Sequence, residues 1–397
     1  MAAVDLTVAK LLLPLMVRLR AEGHTVEAAC SDGPHARALR AQGWTVHAVP
    51  VPRSLHPLRA AHALAGLTRL LRRGRYAVVH VHTPVAAALG RAAARLARVP
   101  MVVYTAHGFY FHEGMRPWAY RAVAAAERAL GRWTDLLLCQ SGEDAESAVR
   151  LGIVPRQRVV WIGNGVDTAR FAAAATPEAR ARARATLGLA PEARVVGFVG
   201  RLVREKGVLE LLAAFARVRQ GIPDARLLLV GDTLGSDRDR GTVAALRGLL
   251  EGHGLHGAVL FAGFREEVAE ALAAMDVFAL PSHREGMPRT ILEAMAAGLP
   301  VVATAIRGCR EEVVAGVTGE LVPVGDAAVL ADALARLLRD PALARRLGAA
   351  GRARARAEFD EGLVLERQVA AYRRLLAERA GRATPAAVGA GEERRGM

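Results

Sequence analysis

Short apolar runs, each closed by turn residues and followed by a helical pattern, recur twice over along this chain. In the first series they are Ala77–Thr83 (AVVHVHT), Met101–Ala106 (MVVYTA), Asp135–Ser141 (DLLLCQS) and Val159–Gly163 (VVWIG). Runs this short and this apolar read as strands buried on both faces. Helical stretches fall near Leu11–Ala21, Leu55–Arg72, Val85–Ala97, Pro117–Leu130 and Glu143–Arg150. Repeated strand–helix units can close only as a parallel, doubly wound sheet, because parallel neighbours need a crossover helix.

A stretch rich in Ala, Arg and Pro, residues 168–191, interrupts the pattern and reads as a linker carrying one short helix. A second series follows: Val195–Val199, Arg226–Val230, Val259–Ala262, Val277–Leu280, Val301–Thr304 and a short Glu320–Val322. At 397 residues the chain exceeds one ordinary core, so two domains are expected. The divisions read as 1–167, a linker at 168–191, a second domain at 192–358, a closing helix at 359–380 and a disordered tail at 381–397. Two such sheets face one another across a cleft, and ligands of this architecture sit at the carboxyl ends of the strands. Ahead of the helix at Leu11 only Ala2–Val4 remains for a first strand. The expectation is a start several residues upstream or a stunted strand.

Composition removes several classes. Cys30, Cys139 and Cys309 are far apart, form no CxxC and have no zinc-type neighbours, as expected of reduced thiols. No apolar run reaches membrane-spanning length, and Leu11–Val17 lacks a signal-peptide cleavage site. No Walker A and no GxGxxG occurs, which argues against a nicotinamide-dependent oxidoreductase. Asp237-Arg238-Asp239 resembles a DxD metal motif but lies in a polar stretch and reads as a surface turn. The net charge of +15 favours anionic partners. Its arginines are spread over many helices without an aromatic platform, against nucleic-acid binding.

The chemistry concentrates in three segments. Residues 281–304 read PSHREGMPRTILEAMAAGLPVVAT: a strand end, a loop with Glu285, Gly286, Met287 and Pro288, and a helix that Pro288 should start as its first residue. Free N–H groups at that helix start suit a phosphate. Glu285 and Glu293 flank it, and carboxylates there suit vicinal hydroxyls of a sugar and a ribose. In Gly200–Gly207 (GRLVREKG), Arg201 and Lys206 follow a strand and can neutralise a diphosphate. Lys206 is one of only two lysines, with Lys10, in a chain that otherwise uses Arg. His107, at the end of an N-domain strand, would face the same cleft, as would Asn164 of the Asn164–Asp167 turn. His80 and His82 share one strand face and read as wall residues.

Together GRLVREKG, FAGF, IGNGVD and the 281–304 segment stand in the order and spacing of glycosyltransferase family four, which the whole chain resembles. The stretch VHVHTPVAAALGRAAARLARVPMVVYTAHGFYFHEG is similar to its capsule, exopolysaccharide and lipid-linked oligosaccharide members. The resemblance implies a GT-B fold, retention of anomeric configuration by front-face displacement, no protein nucleophile and no metal. It implies that Arg201 and Lys206 grip the donor diphosphate and that Glu293 holds the ribose. Glu285 would meet the sugar hydroxyls, and the backbone of Gly286, Met287 and Pro288 the sugar and phosphate. Phe264 or Arg265 would lie near the base and His107 by the sugar. Catalysis would rest on Glu285, His107, Lys206 and Arg201. The last helix, Glu361–Arg379, would cross back onto the first domain, and a Val4–Thr7 loop would survive from the family's first βα turn.

The expected partners are a nucleoside-diphosphate sugar, UDP by family habit, and a glycan or polyprenyl-linked acceptor. A sugar-nucleotide epimerase on the same fold is the rival enzyme. The basic segment 53–75 could rest on anionic lipid, which would place a cytoplasmic enzyme at the inner face of the plasma membrane.

Overall fold

The computed structural model describes residues 1–52, 56–233, 239 and 241–383. Twelve strands are found among them: β1 (Ala28–Cys30), β2 (Val46–Ala48), β3 (Val78–His82), β4 (Met101–Ala106), β5 (Leu136–Cys139), β6 (Val159–Trp161), β7 (Arg194–Val199), β8 (Ala225–Val230), β9 (Val259–Gly263), β10 (Val277–Leu280), β11 (Val301–Thr304) and β12 (Gly319–Val322). All ladders between them are parallel. The expected strands of both series are present, but Ala2–Val4 forms none. β1 and β2 are additions, too short and too Ala-rich to announce themselves as apolar runs, and so is the helix Pro34–Ala41 between them.

The second domain is a six-stranded sheet ordered β12-β11-β10-β7-β8-β9. The chain starts at β7 in the middle, winds outward through β8 and β9, then returns to the other side of β7 with β10. That reversal leaves a crevice beyond the carboxyl ends of β7 and β10, because the helices after them diverge to opposite sides. The loops opening on the crevice are therefore Gly200–Gly207 and Pro281–Pro288, the two segments singled out by their chemistry. Phe198, Phe215, Phe278 and Leu334 are fully buried in the core beneath. The edge strand β9 is half-exposed, so burial on both faces holds for the interior strands only.

The stretch between the domains departs from expectation. It carries two helices, Thr168–Ala174 and Pro177–Thr186, rather than one. Asp167 and Thr176 cap them by accepting from Arg170 N and Ala179 N. Both pack on the second domain, and Arg180 and Arg184 converge on Asp276, at 2.5 and 2.8 Å. The Asp276 carboxylate also accepts from Val195 N at 2.7 Å, which ties the helix Pro177–Thr186 to the central strand.

In the first domain β3-β4-β5-β6 form one sheet and β1-β2 another. Residues Met1 and Ala2 bridge them. Met1 N donates to His80 O (2.7 Å), His82 N donates to Met1 O (2.9 Å), and Ala2 N donates to Ala29 O (3.0 Å). Beside this pairing the sheets part around an apolar cavity of about 490 Å³, lined by Leu12, Leu15, Leu19, Leu70, Val78 and Tyr372 among others. The Val4–Thr7 loop expected from the resemblance is not a loop: Asp5–Thr7 is already helical and runs on through Val8–Leu12 into Leu13–Ala21. Asp5 explains why. Its carboxylate accepts from His35 N (2.9 Å) and Ala36 N (3.3 Å), capping the Pro34–Ala41 helix in place of Gly33, which has no side chain to do so. A Cβ at Gly33 would lie 2.3 Å from that carboxylate.

The last helix, Glu361–Ala383, crosses back as expected and extends past Arg379. Val166 and Phe359–Glu361 exchange backbone hydrogen bonds at the crossing. Val369, Ala371 and Tyr372 then bury themselves against Leu15, Val103 and Leu138 of the first domain. Of the expected disordered tail, 381–383 belong to this helix, and 384–397 lie outside the described residues, as do Asp237 and Arg238 of the DxD-like turn. The described residue of that turn, Asp239, caps the helix Thr242–Gly252 through Thr242 N at 3.2 Å. No helix among the described residues is long and apolar enough to cross a membrane.

The Arg184 guanidinium is 3% exposed and donates to Ala274 O as well as to Asp276. Removing it takes a buried donor from Ala274 O and leaves Asp276 with Arg180 and Val195 N, so Arg184→Ala should lower unfolding free energy by roughly 1–3 kcal/mol in urea titration.

Candidate active site

The second domain supplies the cationic half of the cleft. Gly207 has φ +68, and a Cβ there would stand 1.9 Å from Pro281 O. Glycine therefore lets the loop after β7 lie flat against the loop after β10. That contact delivers Lys206, whose Nζ donates to Glu285 Oε1 at 2.5 Å. The same oxygen accepts from Ser282 Oγ at 2.7 Å, and Ser282 O accepts from Thr304 Oγ1 at 2.5 Å. The two charged side chains are 18% and 9% exposed, which holds them in one geometry before any ligand arrives. Arg201 stands on the same loop, 4.0 Å from Glu205.

Pro288 lies one residue earlier than expected. It occupies the N-cap position of Arg289–Ala296 rather than its first turn, and it offers no side-chain cap. Glu293, on that helix, is half-buried with its side chain 14% exposed, and desolvation raises its carboxyl from 4.5 to about 7 despite Arg289 nearby. Arg289 reaches Glu293 at 3.4 Å and Glu361 at 3.4 Å, and donates to Lys10 O at 3.1 Å. Phe264 is 64% exposed on the loop after β9, beside Arg265, whose Nε donates to Ala262 O at 3.2 Å. One cross-domain ion pair, Lys10 with Glu266 at 3.2 Å, flanks that loop, as does a pair with the helix after the first domain, Arg170 with Glu267.

The first domain meets this face with its strand ends. Thr83, His107 and Gln140 directly follow β3, β4 and β5, and Asn164 comes three residues after the end of β6. A hydrogen-bond relay links three of them. Asn164 Nδ2 donates to Met287 O (2.8 Å), so its Oδ1 faces Gln140 Nε2, which donates to it at 2.9 Å. Gln140 Oε1 is then the acceptor for the His107 ring, a bond that partly offsets the burial holding His107 down at about 4. Nε2 of His107 lies 3.1 Å from His82 Nδ1, and His82 is also held neutral by burial. The network assigns the proton of that contact to His82 Nδ1. The relay thus runs one way, from a buried strand of one domain to the backbone of the Glu285–Pro288 loop of the other.

Backbone contact completes the junction. A Cβ at Gly286 would stand 2.0 Å from His107 O, and one at Gly108 2.6 Å from Gly286 Cα. The structure thus gathers Lys206, Glu285, Gly286, Met287, Asn164 and His107 into one continuous set. Glu293 stands on the helix that follows, toward Lys10 and Arg170. Phe264 and Arg265 stay apart from this set, on the exposed loop after β9. Sequence reasoning missed Gln140 and took His82 for a wall residue. The usable signal was position, since each sits on or directly after a strand whose end opens on the cleft. Thr83 was missed as well. It adopts φ +62, rare for a residue with a β-branch, and its buried Oγ1 has no protein partner.

A model of group 1 glycosyl transferases matches residues 179–354, and a model of glycosyltransferase family 4 matches residues 8–170. The putative glycosyltransferase EpsD of Bacillus subtilis is 30% identical over 357 residues, covering 85% of this chain and 91% of the relative. The chain belongs to glycosyltransferase family four. A second relative of the transferase is the Escherichia coli UDP-Gal:alpha-D-GlcNAc-diphosphoundecaprenol alpha-1,3-galactosyltransferase, 33% identical over 294 residues, 73% of this chain and 74% of that one. Anabaena HepE, solved in complex with UDP, shares the fold with a TM-score of 0.77 at 24% identity, covering 96% of this chain and 98% of its own. Sucrose-phosphate synthase from Thermosynechococcus elongatus aligns with a TM-score of 0.78 at 25% identity, over 95% and 98% of the two chains. The enzyme is thus a GT-B glycosyltransferase, and the cleft between its two sheets is the place to look for its chemistry.

Within that cleft the relay makes a specific demand. Asn164→Asp replaces the donor to Met287 O by an acceptor and should cut turnover about tenfold to 100-fold, about 1.4–3 kcal/mol, with the thermal midpoint little changed. Steady-state kinetics beside a melting curve check it.

Proposed function

We propose that the transferase moves a hexose-type sugar from a UDP donor to a lipid-linked glycan acceptor, with retention of configuration and without a metal. The observation that carries this reading is the Lys206–Glu285 pair, set at the switch point of one sheet and pressed against the strand ends of the other. Arg201 and Lys206 neutralise the diphosphate as it departs, the role a metal would otherwise fill. Glu293 accepts from the ribose hydroxyls and Glu285 from hydroxyls of the sugar. The backbone of Gly286, Met287 and Pro288 lines the sugar–phosphate junction, and Phe264 or Arg265 lies by the base. The acceptor hydroxyl attacks on the face from which the diphosphate leaves, so the enzyme contributes position and charge rather than a nucleophile. His107 lies by the sugar as a neutral group. With its basicity lowered to about 4 and both ring nitrogens in the relay, it positions the donor loop rather than moving protons.

The lipid-linked acceptor is supported by the Escherichia coli relative, whose name specifies a diphosphoundecaprenol substrate. It is supported as well by the helix Pro57–Gly74, which ends in Arg72 and Arg73, with Arg75 just beyond and Leu58 exposed. Such a helix suits peripheral contact with anionic lipid at the cytoplasmic face of the plasma membrane. Flotation with phosphatidylglycerol vesicles should exceed flotation with neutral vesicles, and equal binding would remove this part of the reading.

A donor screen that measures release of nucleoside diphosphate, run with lipid-extract acceptors and with EDTA present, tests the whole. UDP-sugar turnover that needs acceptor and survives EDTA is expected. Conversion of the sugar nucleotide without acceptor would instead mark an epimerase. Lys206→Ala and Glu293→Ala should each lower kcat/KM by about 100-fold or more. Full activity in either variant refutes the site.

The Glu293 carboxyl also sets a pH dependence. Burial raises it from 4.5 to about 7 in the folded protein. The folded state therefore holds a proton that the unfolded state has lost, and this contribution to stability falls away as pH rises from 4.5 through 7. Hydroxyls of a bound ribose favour the ionised form, so UDP affinity should rise toward pH 7 and level off above it. Glu293→Gln should flatten both curves, as read by urea unfolding and by calorimetric UDP titration.

A further inference from the structure

The loop after β11 places three charged side chains of the second domain within five residues, and all three reach the first domain. Arg307 donates to Phe109 O (2.9 Å) and Phe111 O (3.2 Å) and pairs with Asp144 at 2.8 Å. Arg310 grips both oxygens of Glu143, at 3.2 and 2.8 Å, and reaches Glu113 at 2.9 Å. Glu311 accepts from Gly142 N at 2.7 Å, from Glu143 N at 3.1 Å and from Ser141 Oγ. Their common target is the first turn of the helix Gly142–Arg150, which follows β5. The match is reciprocal: the helix start offers free N–H groups to the one anion and two carboxylates to the two cations.

Between these side chains lies Gly308, at φ +80. A Cβ there would be 1.8 Å from Gly286 O, and Gly286 in turn is pressed against His107 O. The segment that holds the domains together therefore also backs the donor loop. We infer that Arg307, Arg310 and Glu311 form an interdomain clasp that sets the register of the Glu285–Met287 loop against His107, and so act as positioning residues for transfer. The inference rests on the transferase reading above. Arg201, Lys206, Glu285 and Glu293 all belong to the second domain, so nucleoside diphosphate still binds when the clasp is broken. Transfer needs the acceptor side brought up against that domain, and fails.

The test uses the full chain with Arg310→Glu, Glu311→Lys, and Arg310→Glu paired with Glu143→Arg. For the two single variants small-angle scattering should report a larger radius of gyration. Their kcat with the donor found by the screen should fall about tenfold or more, while calorimetric Kd for UDP stays within about threefold. The paired variant should recover at least about threefold of the lost kcat. An unchanged radius with unchanged kcat, a paired variant no better than Arg310→Glu alone, or UDP affinity lost in step with kcat would overturn the clasp. If no donor is turned over by the unaltered enzyme, the transferase reading fails, and the scattering comparison still decides whether these residues hold the domains together.

Discussion

One backbone contact governs the geometry of the cleft: Gly286 against His107 O. The loop carrying Glu285 can sit beside Lys206 and still touch the opposite sheet only because no side chain intervenes at Gly286, Gly108 or Gly308. A single methyl at Gly286 would stand 2.0 Å from a carbonyl oxygen and would push the domains apart. Each charged group named above is held relative to that point. Lys206 reaches Glu285 because Gly207 lets its loop lie on Pro281, and Asn164 reaches Met287 because the domains already touch one residue away.

The electrostatics follow from that closeness. Desolvation raises the Glu293 carboxyl to about 7 even with Arg289 at 3.4 Å, and Glu285 has Lys206 at contact distance. On the other side burial keeps the His82 and His107 rings neutral, and neutrality is what lets their hydrogen bonds run in a single direction toward the Glu285–Pro288 loop. A charged imidazole would donate from both nitrogens and break the chain of donors and acceptors. The cleft thus sets the Lys206–Glu285 ion pair of one domain against a neutral, hydrogen-bonded wall of the other.

Much of this was readable from residue order. Strands such as MVVYTA and VVAT appear at the expected bounds because short apolar runs between turn residues have few other uses. Where reading failed, local signal was weak or misleading. AAC and VHA are too short to stand out as strands, and Pro288 looked like a first helical residue when it is the cap. The linker's composition conceals two helices that are held by packing and, for Pro177–Thr186, by Asp276 rather than announced by pattern. Val4–Thr7 was read as a loop by resemblance, yet Asp5 is drawn into a helix as it caps a neighbour thirty residues on.

Periodicity and punctuation are local properties, so they alone settle that the chain makes two parallel sheets with crossover helices, and that GRLVREKG and the 281–304 segment close the strands that border a switch point. Which groups meet across the gap is another matter. Gln140 with Asn164, His82 with His107, Glu311 with the start of the Gly142–Arg150 helix, and the three stacked glycines are distant in the chain, and nothing in their immediate neighbours announces the pairing. Those contacts exist because two rigid bodies come together at one angle. That angle is set by the summed fit of both surfaces and by the helix Glu361–Ala383 crossing between them.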